Sequence, residues 1–322
     1  MALGLLAGTV LSLTAAGPAA ATLSADVTVL HAPLPDDPAA QMVQSQTDRY
    51  LRMTVSVTIE GHGPFEFLVD TGSEATVITD RVQQQLALKP AGRAVVVGMA
   101  SRAPVDLVSL DGLEFAERVF DGLEAPLLAA SNVGADGILG LDTLQDLRVL
   151  IDFRSGTIAV NDAEALGGNK GYDIVVRARR KLGRLIITEA TVDRVKTAVI
   201  LDTGAQTSIG NMALMRKLRA RSRETVRNKD VNGQNIIGSL DLARLLSIGD
   251  MHLTNVAIMF ADGPAFTQLG MAERPAMILG MRDLRVFDRV AIDFATRQVL
   301  FDAPRGTAVR PGRGRKSIPE GL

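Results

Sequence analysis

The sequence predicts an all-β chain of two lobes related by a pseudo-two-fold axis, with a few short helices. Three observations carry this prediction: an internal duplication, period-two alternation of apolar and polar residues, and Gly, Asp and Pro breaks between short apolar runs.

Three segments recur in the same order and at nearly constant separation. Leu68-Val69-Asp70-Thr71-Gly72-Ser73 reappears as Ile200-Leu201-Asp202-Thr203-Gly204-Ala205. Gly137-Ile138-Leu139-Gly140-Leu141 reappears as Met277-Ile278-Leu279-Gly280-Met281, and Val149-Leu150-Ile151-Asp152-Phe153 as Val290-Ala291-Ile292-Asp293-Phe294. The period is far too long for a solenoid, so each copy is expected to be a lobe. The expected lobes are residues 50–165 and 171–303, joined by the Gly-rich stretch 166–171.

Within a lobe, residues 53–59 alternate as a half-buried strand does. Gly61-His62-Gly63-Pro64 predicts a turn, residues 65–69 a short strand running into Asp70, and residues 75–79 another. A helix is expected over residues 80–86, with Thr79 or Asp80 as N-cap, and its mate from Asn211 through Leu218.

Composition narrows the function. With 47% hydrophobic and 22% charged residues the 322-residue chain can fill a substantial core, but 4% aromatics and no Trp leave that core to Val, Ile, Leu and Ala. The absence of Cys excludes a disulfide scaffold, thiolate metal sites and a Cys nucleophile. A formal charge of −1 gives no reason to expect a nucleic-acid partner. The basic stretches 216–229 and 305–316 hold no aromatic residue; they are read as an exposed helix face with its loop, and as part of a disordered tail over 304–322. His31, His62 and His252 are scattered without metal-ligand spacing. There is no Gly-x-Ser-x-Gly elbow, and Gly61-His62-Gly63 lacks the third glycine and following helix of a dinucleotide site. No metal or organic cofactor is expected.

Residues 1–21 are uncharged and apolar and end in Ala19-Ala20-Ala21, which resembles the apolar core and cleavage site of a signal peptide, or an N-terminal anchor. Residues 22–49 read as a linker or propeptide-like segment. The expected location is the periplasm or cell envelope, or the cytoplasm if the leader is no signal. No other stretch approaches membrane-spanning length.

The chemistry points to Asp70 and Asp202. Each ends an apolar strand, and two lobes facing each other across an axis would bring them together. Carboxylates that share one site cannot both ionise easily, so one pKa falls, the other rises, and the pair holds one proton. One oxygen can then take a proton from water while the other gives one to a carbonyl oxygen. Gly72 and Gly204 let backbone N–H groups approach the carboxylates. The Thr71 and Thr203 hydroxyls are placed to bond across the axis. Ser73 is expected to add a hydrogen bond to Asp70 that Ala205 cannot give Asp202, making Asp70 the better-stabilised anion. Asp152 and Asp293, although duplicated, read as structural strand-end carboxylates.

Two Asp-Thr-Gly triplets, each with its own Ile-Leu-Gly downstream, resemble the aspartic protease superfamily. Each half is similar to a retropepsin-like lobe and the fused pair to single-chain pepsin-like enzymes, over roughly residues 50–303. The resemblance implies an acid-protease fold, an aspartic-type endopeptidase whose active site forms within one chain (so that a monomer is active), and a peptide or protein substrate. It also implies flaps, hairpins that close over the substrate, for which residues 97–103 and 230–235 are the candidates; neither holds a Tyr, unlike the first flap of pepsins. Two rival expectations are a catalytically silent peptide-binding module of the same fold and a protease dedicated to one partner protein.

Overall fold

A computed structural model describes residues 53–115, 118–220 and 224–304, with the backbone of the short strands Ala2–Gly4, Met42–Gln44 and Gln46–Thr47. Apart from those strands and Pro304, the segments read from sequence as leader (1–21), linker or propeptide (22–49) and basic tail (304–322) lie outside the described residues, as does His31. No helix among the described residues is long and apolar enough to cross a membrane.

The fold is all-β and bilobal, and the duplication extends to its details. In the first repeat the strands Val77–Thr79, Gly137–Leu139, His62–Val69 and Met53–Ile59 lie side by side in that order. In the second, Ser208–Gly210, Ala276–Leu279, Val195–Leu201 and Arg184–Val192 lie in the matching order. The six short helices among the described residues also fall into three pairs at corresponding places: Asp80–Leu86 with Met212–Leu218, Ala130–Val133 with Pro264–Gln268, and Leu141–Leu144 with Met281–Leu284. Asn211 caps the second member of the first pair by accepting the Leu214 N–H at 2.8 Å. Thr79 holds the N-cap position of the first member, but its hydroxyl is turned away to the Asp136 carbonyl at 2.8 Å.

The last two strands of each repeat leave their own lobe and join one sheet across the seam. Arg148–Asp152 pairs antiparallel with Arg289–Asp293, so that Leu150 faces Ala291, and Thr157–Asn161 and Gln298–Asp302 flank them. Alternate residues of these strands, Val149, Ile151, Val290 and Ile292, enter a single apolar core that also takes in Val69, Leu139, Leu201 and Leu279. The two lobes are therefore fastened by shared strands as well as by side-chain packing.

One local expectation is corrected. The first hairpin turns at Glu60-Gly61, and His62-Gly63-Pro64 belongs to the strand that follows. Glu60 and Gly61 both have positive φ, 49° and 74°, as a tight two-residue hairpin requires. A register shift between Val57 and Ile59 accommodates Pro64, which brings no N–H to the ladder.

Candidate active site

Each Asp-Thr-Gly loop begins where a central strand ends against a parallel neighbour. Leu68 and Val69 are in register with Ile138 and Leu139, and the Asp70 N–H continues the ladder to the Leu139 carbonyl at 3.1 Å. Ile200 and Leu201 are in register with Ile278 and Leu279 in the same way, and the Asp202 N–H reaches the Leu279 carbonyl at 3.1 Å. Downstream, the chain crosses over the residues that follow each triplet. A Cβ at Gly140 would lie 2.4 Å from the carbonyl carbon of Ala75, and one at Gly280 would lie 2.8 Å from that of Thr207. That close approach is why Ile-Leu must be followed by Gly in both repeats.

The loops meet at the seam. The Thr71 N–H donates to Thr203 Oγ1 at 3.1 Å and the Thr203 N–H to Thr71 Oγ1 at 3.2 Å. Each hydroxyl in turn donates across the seam, Thr71 to the Leu201 carbonyl at 3.1 Å and Thr203 to the Val69 carbonyl at 2.6 Å. This lattice holds the two carboxylates together. A Cβ at Gly72 would fall 2.6 Å from Asp202 Oδ2, and one at Gly204 would fall 2.4 Å from Asp70 Oδ2. Both aspartates are fully buried.

Backbone donors face the acids from their own loops: Gly72 N–H to Asp70 Oδ1 at 2.7 Å, and Gly204 and Ala205 N–H to Asp202 Oδ1 at 2.9 and 3.1 Å. Burial pushes the Asp202 carboxyl well above the ordinary carboxylate range, and the charge of Asp70 and its hydrogen bond push it further; the Gly204 N–H and the Arg184 charge oppose them. Two carboxyls that share a site in this way titrate as a unit and hold one proton between them. Ser73 has no part in the asymmetry. Its hydroxyl donates to the Ala75 carbonyl at 2.7 Å, closing its own turn instead of serving Asp70.

The structure adds residues that the sequence analysis did not single out. Arg184, only 1% exposed, reaches from the second repeat to the first triplet, with Nε on the Gly72 carbonyl at 2.8 Å and Nη1 on Glu74 Oε1 at 2.5 Å. An Arg 18 residues before each triplet Asp, Arg52 and Arg184, was the available signal. Asp142 accepts from the Thr76 N–H and hydroxyl, and Asp283 accepts from the Ser208 hydroxyl. Thr76 and Ser208 in turn accept the N–H groups of Gly140 and Gly280. These braces tie the residues after each triplet to the crossing strand, and an acid shortly after each Ile-Leu-Gly marks them in the sequence. Burial raises the pKa of both acids, partly offset by the same hydroxyls.

Asp293 is taken up by a buried ion pair with Arg148, and Asp152 accepts the Arg154 and Ser155 N–H groups of its turn. His252 shares a bond with the Ser247 hydroxyl on the exposed face. Among the described residues no cluster of His, Asp and Glu is arranged to hold a metal ion.

Two hairpins close over this floor. One joins Pro90–Val97 to Arg102–Leu110 and the other joins Glu224–Lys229 to Asn235–Ile248, so their tips coincide with the segments 97–103 and 230–235. The tips touch each other. Asp230 Oδ2 accepts the Ala100 N–H at 3.1 Å and the Ser101 hydroxyl at 2.8 Å, and Asn232 Nδ2 donates to Ser101 Oγ at 3.0 Å.

A family model described as aspartyl protease matches residues 55–143 and again residues 188–282, together more than half of the chain. The chain belongs to the aspartyl protease family. No curated protein matches it. The two matched regions are the two repeats, each with its triplet and its crossing strand. Membership assigns the chain a protease type of function, that of a hydrolase acting on peptide bonds.

Proposed function

We propose that this chain is an aspartic endopeptidase in which Asp70 and Asp202 activate one water molecule between them. The observation that carries the reading is the closeness of each triplet glycine to the opposite lobe's carboxylate, which leaves the two acids sharing one site. The raised pKa of Asp202, pushed up by burial and by the charge of Asp70, supports a pair that keeps one proton.

In the working state the pair carries one proton, on Asp202. The ionised Asp70 takes a proton from water as the water oxygen bonds to the scissile carbonyl carbon. Asp202 gives its proton to the carbonyl oxygen, and a neutral gem-diol results. The proton on Asp70 then passes to the amide nitrogen, the C–N bond breaks, and the diol proton returns to Asp202. No covalent intermediate forms and no cofactor enters. The peptide lies extended between the hairpins and the floor, held by backbone hydrogen bonds. Export to the periplasm or envelope, with protein or peptide substrates there, completes the proposal.

The test is cleavage of a peptide library and a denatured protein mixture from acid to neutral pH, with and without a pepstatin-like inhibitor. Wild type is expected to cut on the acid side of neutral, and Asp70→Asn or Asp202→Asn to abolish cutting in a folded protein. Near-normal turnover in either variant overturns the assignment. Peptide binding without cutting by wild type would make the chain a silent module.

A further inference from the structure

The hairpin tips carry two apolar side chains that the reaction does not use, and each tip is buried in the opposite lobe. Met99, on the first lobe's hairpin, is 2% exposed and belongs to an apolar cluster of the second lobe that includes Ile200, Ala205, Ile209, Phe266 and Ile278. Val231, on the second lobe's hairpin, is also 2% exposed and belongs to the first-lobe cluster of Leu68, Val77, Leu128, Val133 and Ile138.

The position of these clusters is fixed by strand geometry. Leu68 lies two residues before Asp70, and Ile200 two before Asp202, so each shares a sheet face with its aspartate. Their register partners Ile138 and Ile278 widen the same apolar patch. The intervening residues Val69, Leu139, Leu201 and Leu279 point the other way, into the main core. The clusters that receive the tips are therefore the apolar surfaces beside the two acids, on the side from which a substrate arrives. Close packing seats the tips: a Cβ at Gly263 would fall 2.0 Å from the Met99 carbonyl oxygen, and one at Gly233 would fall 2.8 Å from the side-chain Nδ2 of Asn132.

We propose that Met99 and Val231 are built-in fillers of the two side-chain pockets that flank the reacting bond, crossed between lobes and latched by Asp230, Ser101 and Asn232, so that a substrate must displace both to reach the carboxylates. This inference rests on the aspartic endopeptidase reading above. It explains why both acids are fully buried while the hairpins touch. It also makes the two pockets unequal: the one beside Asp70 holds a short β-branched side chain, the one beside Asp202 a long unbranched one. A substrate is selected by how well two neighbouring apolar side chains replace that pair.

The measurement is the association rate of a pepstatin-like inhibitor with the full chain, read beside peptide cleavage. Val231→Ala is expected to speed association by about fifteenfold and Met99→Ala by about sixtyfold, since two and three buried methylene-sized groups are removed and each shifts a closing equilibrium roughly fourfold. Because truncation of a buried tip can unsettle the fold, a second variant carries the same question. The chain has no Cys, so Ser101→Cys with Asn232→Cys creates the only possible disulfide, across the latch. Oxidised with glutathione disulfide, that protein is expected to lose inhibitor binding and cleavage together, and to regain both on reduction. Unchanged association in both alanine variants, or cutting by the crosslinked form, overturns the filler proposal while wild-type cleavage upholds the dyad. A wild type that neither cuts nor binds the inhibitor overturns the dyad reading and the fillers with it.

Discussion

Arg148 and Asp293 meet across the seam with Nη2 2.7 Å from Oδ2, their side chains 1% and 0% exposed. The same guanidinium reaches the Gly168 carbonyl and Asn169 Oδ1, so it also ties down the link between the repeats. Asp293→Ala leaves this cation buried without its counter-charge and is expected to lower unfolding stability by about 3–5 kcal/mol. Arg148→Met with Asp293→Leu is expected to recover most of that loss. Chemical denaturation checks both; a single-variant loss under about 1 kcal/mol would show that the seam does not depend on the pair.

Thr71→Val and Thr203→Val each delete a hydroxyl that accepts one N–H and donates to one carbonyl across the seam. A buried N–H left without its acceptor costs about 1–3 kcal/mol. Both variants are expected to lose stability and peptidase rate, and the corresponding Ser variants to keep them. Thermal unfolding and kcat decide. An equal loss in Ser and Val would show that the hydroxyl alone does not preserve the seam, so the effect would not rest on these hydrogen bonds.

Asp202 gives a signed pH prediction. Its folded-state pKa is raised by burial and by Asp70, so the folded state binds the proton more tightly than the unfolded chain does. The group's contribution to stability is present below the unfolded pKa and is lost as pH rises through the folded one. Asp202→Asn cannot ionise. It is therefore expected to melt above wild type at neutral and alkaline pH, with the advantage fading on acidification. A difference that stays constant with pH would show that this proton is not linked to folding.

Gly204→Ala places a Cβ 2.4 Å from Asp70 Oδ2, which forces the two acids apart. Peptide cleavage is expected to fall about a hundredfold or more, the effect of a shift on the order of 1 Å at reacting groups. Circular dichroism checks that the fold survives. A near-normal rate would mean that the acids need not be so close.

Much of this site was legible because its parts are local. A strand-end Asp followed by Thr-Gly, and an Ile-Leu-Gly that needs its glycine for a close crossing, are short signals, and their recurrence located both loops. The misreadings have physical causes. Gly61, Gly63 and Pro64 all signal turns, whereas the pairing of Ile59 with His62 leaves only Glu60 and Gly61 in the loop. Ser73 was given to the carboxylate because a carbonyl two residues on competes equally for a hydroxyl. Arg184 reaching Glu74, Met99 entering the far lobe and the sheet across the seam all join residues distant in sequence. Such contacts leave no period in the chain.

The seam sheet has a consequence for symmetry. Arg148 corresponds to Arg289 and Asp152 to Asp293, so a dimer of identical subunits would have to make the cross-axis Arg–Asp contact twice. Here it is made once, by Arg148, while Arg289 turns to Asp302 in its own repeat. A fused chain is released from that obligation, and each half of the molecule is free to diverge: one triplet with Ser, the other with Ala, one tip with Met, the other with Val. Two unlike ends of a bound peptide can then be met by two unlike surfaces, which identical subunits could offer only by deforming.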